Sequence, residues 1–509
     1  MRRDQLRPLR GLTSNCVDIL YRRPSFLALM ALIAAFALGP TAAAVAQVAA
    51  GDVVVADPNA FGGNGGLIDL NPNTGAQRTL SNDAISSQGL FRDPSGVAFD
   101  PIGGSLIVAD PDAFGGTGGL IKVDPQTGQQ SALSSNAISI FADFFEDPVG
   151  VVRSPSGTLY VTDPNAFGGS GGVIAVDPTS GQESAVSSNA ISPTPLFSNP
   201  HGIAFEAGGT ILVADPDTPV PGGGTDGAII AVDPTTGAQK LITSNAGSQS
   251  DLFADPLGVA VETPGTLLVA NTAPPPSSTG VILVNRSSGR QYPLSTDAGF
   301  VSPSAIAMDL DGKALVADRD AFGGNGGVIR VDPVTGARTV LSGNPNAPDA
   351  LFVDPSGIIV VPPTCLGRYA TIVGTEGADA ITGTAGPDVI SARGGDDIVD
   401  GGGGKDLICG DDGRDRLVGH DGRDSILGGS GSDVILGGNG ADTAKGELGR
   451  DKIDGGRGSD KLYGQQKPDV LAGGKGNDLL SGGPGRDKLR GGPGHDRLRG
   501  GPGVDKLQQ

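Results

Sequence analysis

The sequence predicts an all-β protein in two parts, a six-bladed β-propeller followed by a parallel β-roll. Three observations predict it. Glycine makes up 85 of 509 residues while tryptophan is absent, far above the usual glycine share of about 7% and a sign of repeat architecture. A unit of roughly fifty residues recurs through positions 52–361. From Asp379 to Asp505 an aspartate then stands at every ninth position.

The longer unit reads Asp-Pro-x-Gly, a short apolar strand, a glycine turn, a strand ending in Ala-Asp, a glycine loop, a strand ending in Val-Asp-Pro, then Thr-Gly. The opening element lies at Asp93, Asp147, Asp255 and Asp354, is varied at Asn199 and is degraded at Ser302. The strand-ending residue is Asp57, Asp110, Asp163, Asp215, Asn271 and Asp318, at spacings of 53, 53, 52, 56 and 47. Segments such as Val53–Ala56 and Leu106–Ala109 are bounded by Gly and Pro, so they read as strands and leave no room for long helices. Units of this length with three or four short strands are blade-like. Five full units start at residues 93, 147, 199, 255 and 302. The sixth takes its first strand from Ile358–Val361 and the rest from Val53 onward. This predicts a ring closed by the two chain ends, with its sheet edges removed.

"DPSGVAFDPIGGSLIVAD" at 93–110 resembles the common blade of NHL-type, gluconolactonase-type and streptogramin-lyase-type propellers. The resemblance covers about 310 residues. It implies the fold, and it leaves open a hydrolase or lyase with a metal in the central channel. The residues argue against that. The propeller has one histidine, His201, and its equivalents are Ser95, Val149, Leu257, Ser304 and Ser356. Gly168-Gly169-Ser170-Gly171-Gly172 fits a nucleophile pattern, but Asn64, Thr117 and Asn325 replace the serine in sister units, so it reads as a loop tip. The Ala-Phe-Gly-Gly loops at Ala60, Ala113, Ala166 and Ala321 read as wide hairpins that wedge Phe61, Phe114, Phe167 and Phe322 between blades, with paired glycines supplying positive φ. An oxygen-rich ligand loop is the alternative. No catalytic residue is assigned.

In the second half, glycine stands two before each aspartate except at Lys467, and five before except at Ala392. An aliphatic residue stands two after, as at Ile381, Ile390, Ile408, Leu417 and Ile435, with Ala444 the smallest. The motif Gly-Gly-x-Gly-x-Asp-x-aliphatic-x is that of the calcium-binding parallel β-helix. Residues 428–436 and 473–481 match it in full. Residues 374–509 thus resemble the repeats-in-toxin, or hemolysin-type, calcium-binding repeats. Two nonapeptides make an 18-residue coil, so the aspartates form two interleaved columns.

Calcium takes six to eight oxygens, and carboxylates of neighbouring turns with glycine carbonyls would supply them. The expected ligands are Asp379, Asp388, Asp397, Asp406, Asp415, Asp424, Asp433, Asp442, Asp451, Asp460, Asp478, Asp487, Asp496 and Asp505. Asp469 is left out because "GQQKPD" at 464–469 replaces both inner glycines and adds Pro468, which predicts a weak turn that divides the roll. With one aliphatic residue per nine, the roll is expected to stay disordered until calcium binds.

Arg2, Arg3, Arg7, Arg10, Arg22 and Arg23, the apolar run Phe26–Leu38 and Ala44-Val45-Ala46 predict a cleaved signal peptide over residues 1–46. Residues 47–362 are then the propeller, 363–373 a linker holding Cys365, and 374–509 the roll. The repeats run to Gln509, and relatives exported by the type I route usually carry a trailing signal, so the N-terminal signal implies another route. No other apolar run is long enough for a membrane helix. Removing residues 1–46 takes away six basic and two acidic side chains and shifts the net charge from −20 to −24. Residues 47–364 carry −20 of it and residues 365–509 only −4. That acidity argues against nucleic acid as a partner. Cys365 and Cys409 are the two cysteines after residue 46. Export permits a disulfide between them, worth about 4 kcal/mol on the chain-entropy account.

The expected function is a secreted calcium-binding protein, extracellular or at the cell surface. Its propeller binds an unknown protein, glycan or small molecule or serves as a scaffold. Alternatives are a propeller hydrolase or lyase with the roll as stabiliser, and a surface adhesion protein.

Overall fold

A computed structural model describes residues 48–135, 144–206, 208–220, 224–245, 252–263, 265–272, 279–296, 299–343 and 351–509. The expected signal peptide lies outside the described residues.

Six four-stranded antiparallel sheets form the first part. The innermost strands are Gly357–Val360, Val97–Asp100, Gly150–Arg153, Ile203–Phe205, Asp255–Thr263 and Pro303–Met308, each next to the following one in a closed cycle. Second strands such as Val53–Asp57 and Ser105–Asp110 are buried at every position. Blades stack on both faces of each sheet, so the sequence reads as continuous apolar runs and not as alternation.

The ring closes as the repeat count requires. Strand Val53–Asp57 pairs antiparallel with Gly357–Val360, Val53 opposite Val360 and Ala56 opposite Gly357. The strand-ending aspartates lock each blade. Asp163 accepts the amides of Glu146 and Asp147 at 2.7 and 3.0 Å, and those of Asn165 and Ala166 at 3.0 and 2.8 Å. Asp57 makes the same bonds to Val353 and Asp354, at 2.7 and 3.0 Å. A bond that is local elsewhere here joins the two ends of the propeller. Burial raises the Asp110 and Asp215 carboxyls to about 6 against the opposing pull of these amides.

The Ala-Phe-Gly-Gly loops are single left-handed turns. Phe61, Phe114, Phe167 and Phe322 themselves take φ of 55–58°, alongside the glycines that follow them. A bulky side chain is costly there, by roughly 1–2 kcal/mol per residue. The sequence reading gave positive φ to the glycines alone. The structure adds the phenylalanine, whose ring covers the side-chain-free face of a glycine on the next strand, as Phe61 does on Gly66. Each ring also packs against an apolar cluster, and for Phe114 that cluster spans two adjacent blades.

The second part is a pair of parallel sheets, of eight and nine strands in one sequential order each. Every pairing steps by 18 residues, as in Ile390 to Ile408 to Ile426 and Leu417 to Ile435 to Ile453. The first strand, Ile372–Val373, falls inside the expected linker. The coil runs unbroken past Lys467: strands Lys461–Gln466 and Val470–Lys475 keep register with both neighbours. The expected division at 464–469 is therefore absent. Lys467 fits by taking φ of 75°, where Gly413, Gly422, Gly431, Gly440, Gly458 and Gly476 at the same repeat position take 139–157°.

The propeller caps the first coils. Tyr369 meets Phe99 edge-on at 4.7 Å. Arg393 donates to the Leu310 carbonyl and pairs with Glu376. Cys365 is bonded to Cys409, with Cα atoms 5.7 Å apart, inside an apolar cluster with Ala370 and Val389.

Replacing Asp110 by alanine strands the buried amides of Arg92 and Asp93. The expected loss is about 1–3 kcal/mol of propeller stability, with a smaller loss for Asp110→Asn, since Asn271 fills the equivalent place in another blade. Chemical denaturation monitored on the propeller checks the order.

Candidate metal centre

In the roll, the aliphatic residue of each repeat points inward and forms one column per sheet. Ile390, Val399, Ile408, Leu417, Ile426, Ile435, Ile453, Leu462 and Leu471 are all fully buried. Two residues earlier along each strand the chain turns, which sets the aspartates along the two edges of the coil. From Asp388 to Asp487 each is at most 3% exposed.

Their two oxygens have different surroundings. The backbone N–H of each aspartate donates to Oδ1 of the aspartate one coil on, from Asp379 to Asp397 through Asp487 to Asp505, at 2.8–3.0 Å. Oδ2 of Asp397, Asp406, Asp415, Asp424, Asp433, Asp442, Asp451, Asp460, Asp469, Asp478, Asp487 and Asp496 is buried and accepts no hydrogen bond. A buried carboxylate oxygen without a partner is costly, and here it recurs at every coil.

A second oxygen converges on several of these. A Cβ built on Gly437 would meet Asp442 Oδ2 at 2.7 Å and the Gly455 carbonyl at 2.6 Å; on Gly455 it would meet Asp460 Oδ2 at 2.5 Å and the Gly473 carbonyl at 2.7 Å. In such repeats the glycine five before the aspartate leaves open a cradle lined by a carboxylate and a carbonyl. The glycine two before is required more strictly. At Gly431, Gly440, Gly458 and Gly476 any Cβ would overlap the carbonyl of the preceding coil.

The carboxyls respond to this crowding. Asp415 and Asp469 are pushed up to about 7, first by burial and then by the ladder carboxylates above and below, against the pull of the donating amide. Asp406, Asp424, Asp433 and Asp460 rise to about 6, with burial again the leading cause.

The arrangement fits a hard, oxygen-seeking divalent cation. No three His, Cys, Asp or Glu side chains cluster among the described residues, so backbone carbonyls must complete any site. Three positions differ from the sequence expectation. Asp469, which that reading left out, has the same unpartnered Oδ2 as its neighbours. Asp379 and Asp388 instead have Oδ2 bonded to Thr375 and Thr384, at 2.6 Å from the amide and 2.9 Å from the hydroxyl in each case. The threonine stands four before each of these aspartates, and the turn brings its hydroxyl to the carboxylate.

The propeller channel encloses about 990 Å³. Ser95, Val149, His201, Leu257, Ser304 and Ser356 all line it. The serines face the next blade: Ser95 donates to the Val149 carbonyl at 2.7 Å and Ser304 to the Pro355 carbonyl at 2.7 Å. His201 is held neutral, at about 4, by burial and then by Arg319.

Residues 373–408, 410–444, 436–471, 463–498 and 472–507 match the family described as RTX calcium-binding nonapeptide repeat. The C-terminal region is therefore built of RTX calcium-binding repeats. No curated protein matches the chain. Solved structures similar to it include a nidogen/laminin complex, at 13% identity and TM-score 0.42 over 60% of this chain and 97% of that one. A gluconolactonase from Xanthomonas campestris aligns at 14% identity and TM-score 0.38 over 60% and 90%. No helix among the described residues is long and apolar enough to cross a membrane.

Two predictions follow from the ladder. Gly458→Ala, which forces a Cβ onto the Gly440 carbonyl, is expected to abolish the ordered roll. Gly377→Ala, whose Cβ would find nothing nearer than 3.8 Å, is expected to leave it intact. Circular dichroism of the two variants decides this. The ladder carboxyls also titrate above the ordinary aspartate value of 3.8. The folded roll therefore holds protons that the unfolded chain has already released. Without metal, its stability is full below about pH 4 and is lost as pH rises through 6–7. Dichroism in chelator should show β-structure growing as pH falls through that window.

Proposed function

We propose that the protein is a secreted calcium-binding protein whose roll folds when calcium enters the two aspartate columns and whose propeller is a binding or scaffold module. The column of buried, unpartnered Oδ2 atoms carries this reading. The residues that would hold calcium are the aspartates from Asp397 to Asp496, Asp469 included, with glycine carbonyls such as those of Gly455 and Gly473. Bound calcium would supply positive charge to oxygens that otherwise repel one another across successive coils. Asp505 completes the ladder as the last acceptor, and Asp379 and Asp388 lie at its threonine-closed start.

The propeller's part is supported by its construction. Its channel polar groups are largely engaged between blades, and it covers the first coils of the roll. The hydrolase or lyase reading and the adhesion reading have no observation of this kind behind them. Export rests on the N-terminal segment of the sequence and on the disulfide.

Calcium titration of the full chain, followed by far-ultraviolet dichroism, should show a cooperative gain of β-structure. An unchanged spectrum up to about 10 mM calcium, the range of the weakest extracellular sites, would sink the proposal. Limited proteolysis after calcium removal should leave a resistant fragment near residues 47–364.

A further inference from the structure

The charge of the roll is distributed unevenly along its axis. Residues 365–442 carry six basic side chains and six acidic ones outside the ladder. Residues 443–509 carry thirteen Lys and Arg, and outside the ladder only Glu447 and Asp454. Twelve of those thirteen are exposed; Lys445 is half-buried. Of the seven ladder aspartates of this stretch, Asp451 to Asp487 are buried beneath that surface and Asp496 and Asp505 are half-buried.

The same stretch contains a groove of about 560 Å³. Its floor is bare glycine backbone at Gly438, Gly456 and Gly474, which follow one another at one-coil steps in the parallel register. Arg457 and Lys475, paired in register, and Arg490 supply its cationic wall. Asp454 is its one acidic lining residue. At about 4.8 Å per coil, the groove runs along the roll axis, across the strands. At its proximal end His420 is tied to Asp400 at 3.1 Å.

We propose that this groove binds a linear acidic polysaccharide, and that calcium switches the binding on. The inference rests on the calcium reading above. Loading the ladder neutralises the carboxylates under the groove, so the exposed Lys and Arg are no longer offset. Calcium thus raises affinity for the polyanion, and the polyanion raises affinity for calcium by the same factor. The groove's shape selects the partner. It is axial and floored by backbone, which suits one extended sugar chain. No aromatic side chain lines it, whereas single-stranded nucleic acid is bound on aromatic stacking platforms. Its apolar side chains are limited to Ala472 and Pro493, too few to enter a lipid surface.

The test uses the full calcium-loaded chain and sulfated dextran as probe, with neutral dextran, a single-stranded oligonucleotide and phosphatidylglycerol vesicles as comparisons. Sulfated dextran should bind, neutral dextran should not, and added salt should weaken binding steeply. The triple variant R457E/K475E/R490E should lose about tenfold or more in affinity, as expected when several charge contacts to a polyanion are removed, while keeping the calcium-induced dichroism change. The neutral variant R457Q/K475Q/R490Q, milder for folding, should show a smaller loss in the same direction. Wild-type indifference to sulfated dextran, full binding by the charge-reversed variant, or equal binding of the oligonucleotide or vesicles would overturn the proposal. A calcium transition without glycan binding removes this inference alone. Absence of the transition removes the calcium reading itself.

Discussion

Like charges stacked at the spacing of a parallel sheet govern the second part of this molecule. Each coil brings an aspartate to within about 4.8 Å of the next on the same edge, in a place closed to water. The backbone handles half of the problem: the amide of one aspartate neutralises Oδ1 of the next. The other half has no protein solution, because Oδ2 faces only a glycine and a carbonyl oxygen. Filling that space with a side chain would relieve nothing, since a Cβ built on these glycines meets the carboxylate; Ala392, before Asp397, is the one exception. The glycines and the orphaned oxygens are therefore one feature, a row of oxygen-lined spaces kept open for a cation.

The propeller has a different source of order. Its inner strands are buried on both faces, and its blades close in a ring. Aspartates do structural work there too, but the strand-ending ones are engaged by backbone amides, as Asp163 is by four. The same residue type thus has opposite roles in the two halves. In the propeller the carboxylate completes a local network. In the roll it leaves one oxygen for something outside the chain. Tyr369, Arg393 and the Cys365–Cys409 bond tie the first coils down beside the propeller, which gives the roll a fixed end from which coils can add.

Much of this was legible in the sequence because both halves are repeats. The blade count followed from Asp57 to Asp318 and from the strand at each end, and the 18-residue coil followed from the nine-residue period. Particular misreadings came from treating glycine as the only route to an unusual backbone. Phe61 and its equivalents adopt left-handed φ because covering a neighbouring glycine compensates the strain. Lys467 does so because the turn shifts to a φ that a lysine can reach, so the coil passes through a repeat that the motif alone would exclude. The closure of Asp379 and Asp388 by Thr375 and Thr384 needed the structure, since a threonine four residues before an aspartate declares itself only once the turn brings them together.

The distribution of charge separates two functions that net charge conceals. A total of −20 describes a molecule that should repel polyanions everywhere. Divided by location, the exposed surface beyond residue 442 is cationic, and its counter-charge is buried in the ladder. Burial of charge is sustainable only if something else balances it, and here the balancing species is exchangeable. The outer surface of the roll therefore depends electrostatically on what occupies its interior. A sequence that kept the same surface but replaced the ladder by apolar residues would fold without calcium and remain permanently basic. On the reading proposed above, retaining the aspartates makes both the fold and the strength of the positive surface charge depend on the same ion.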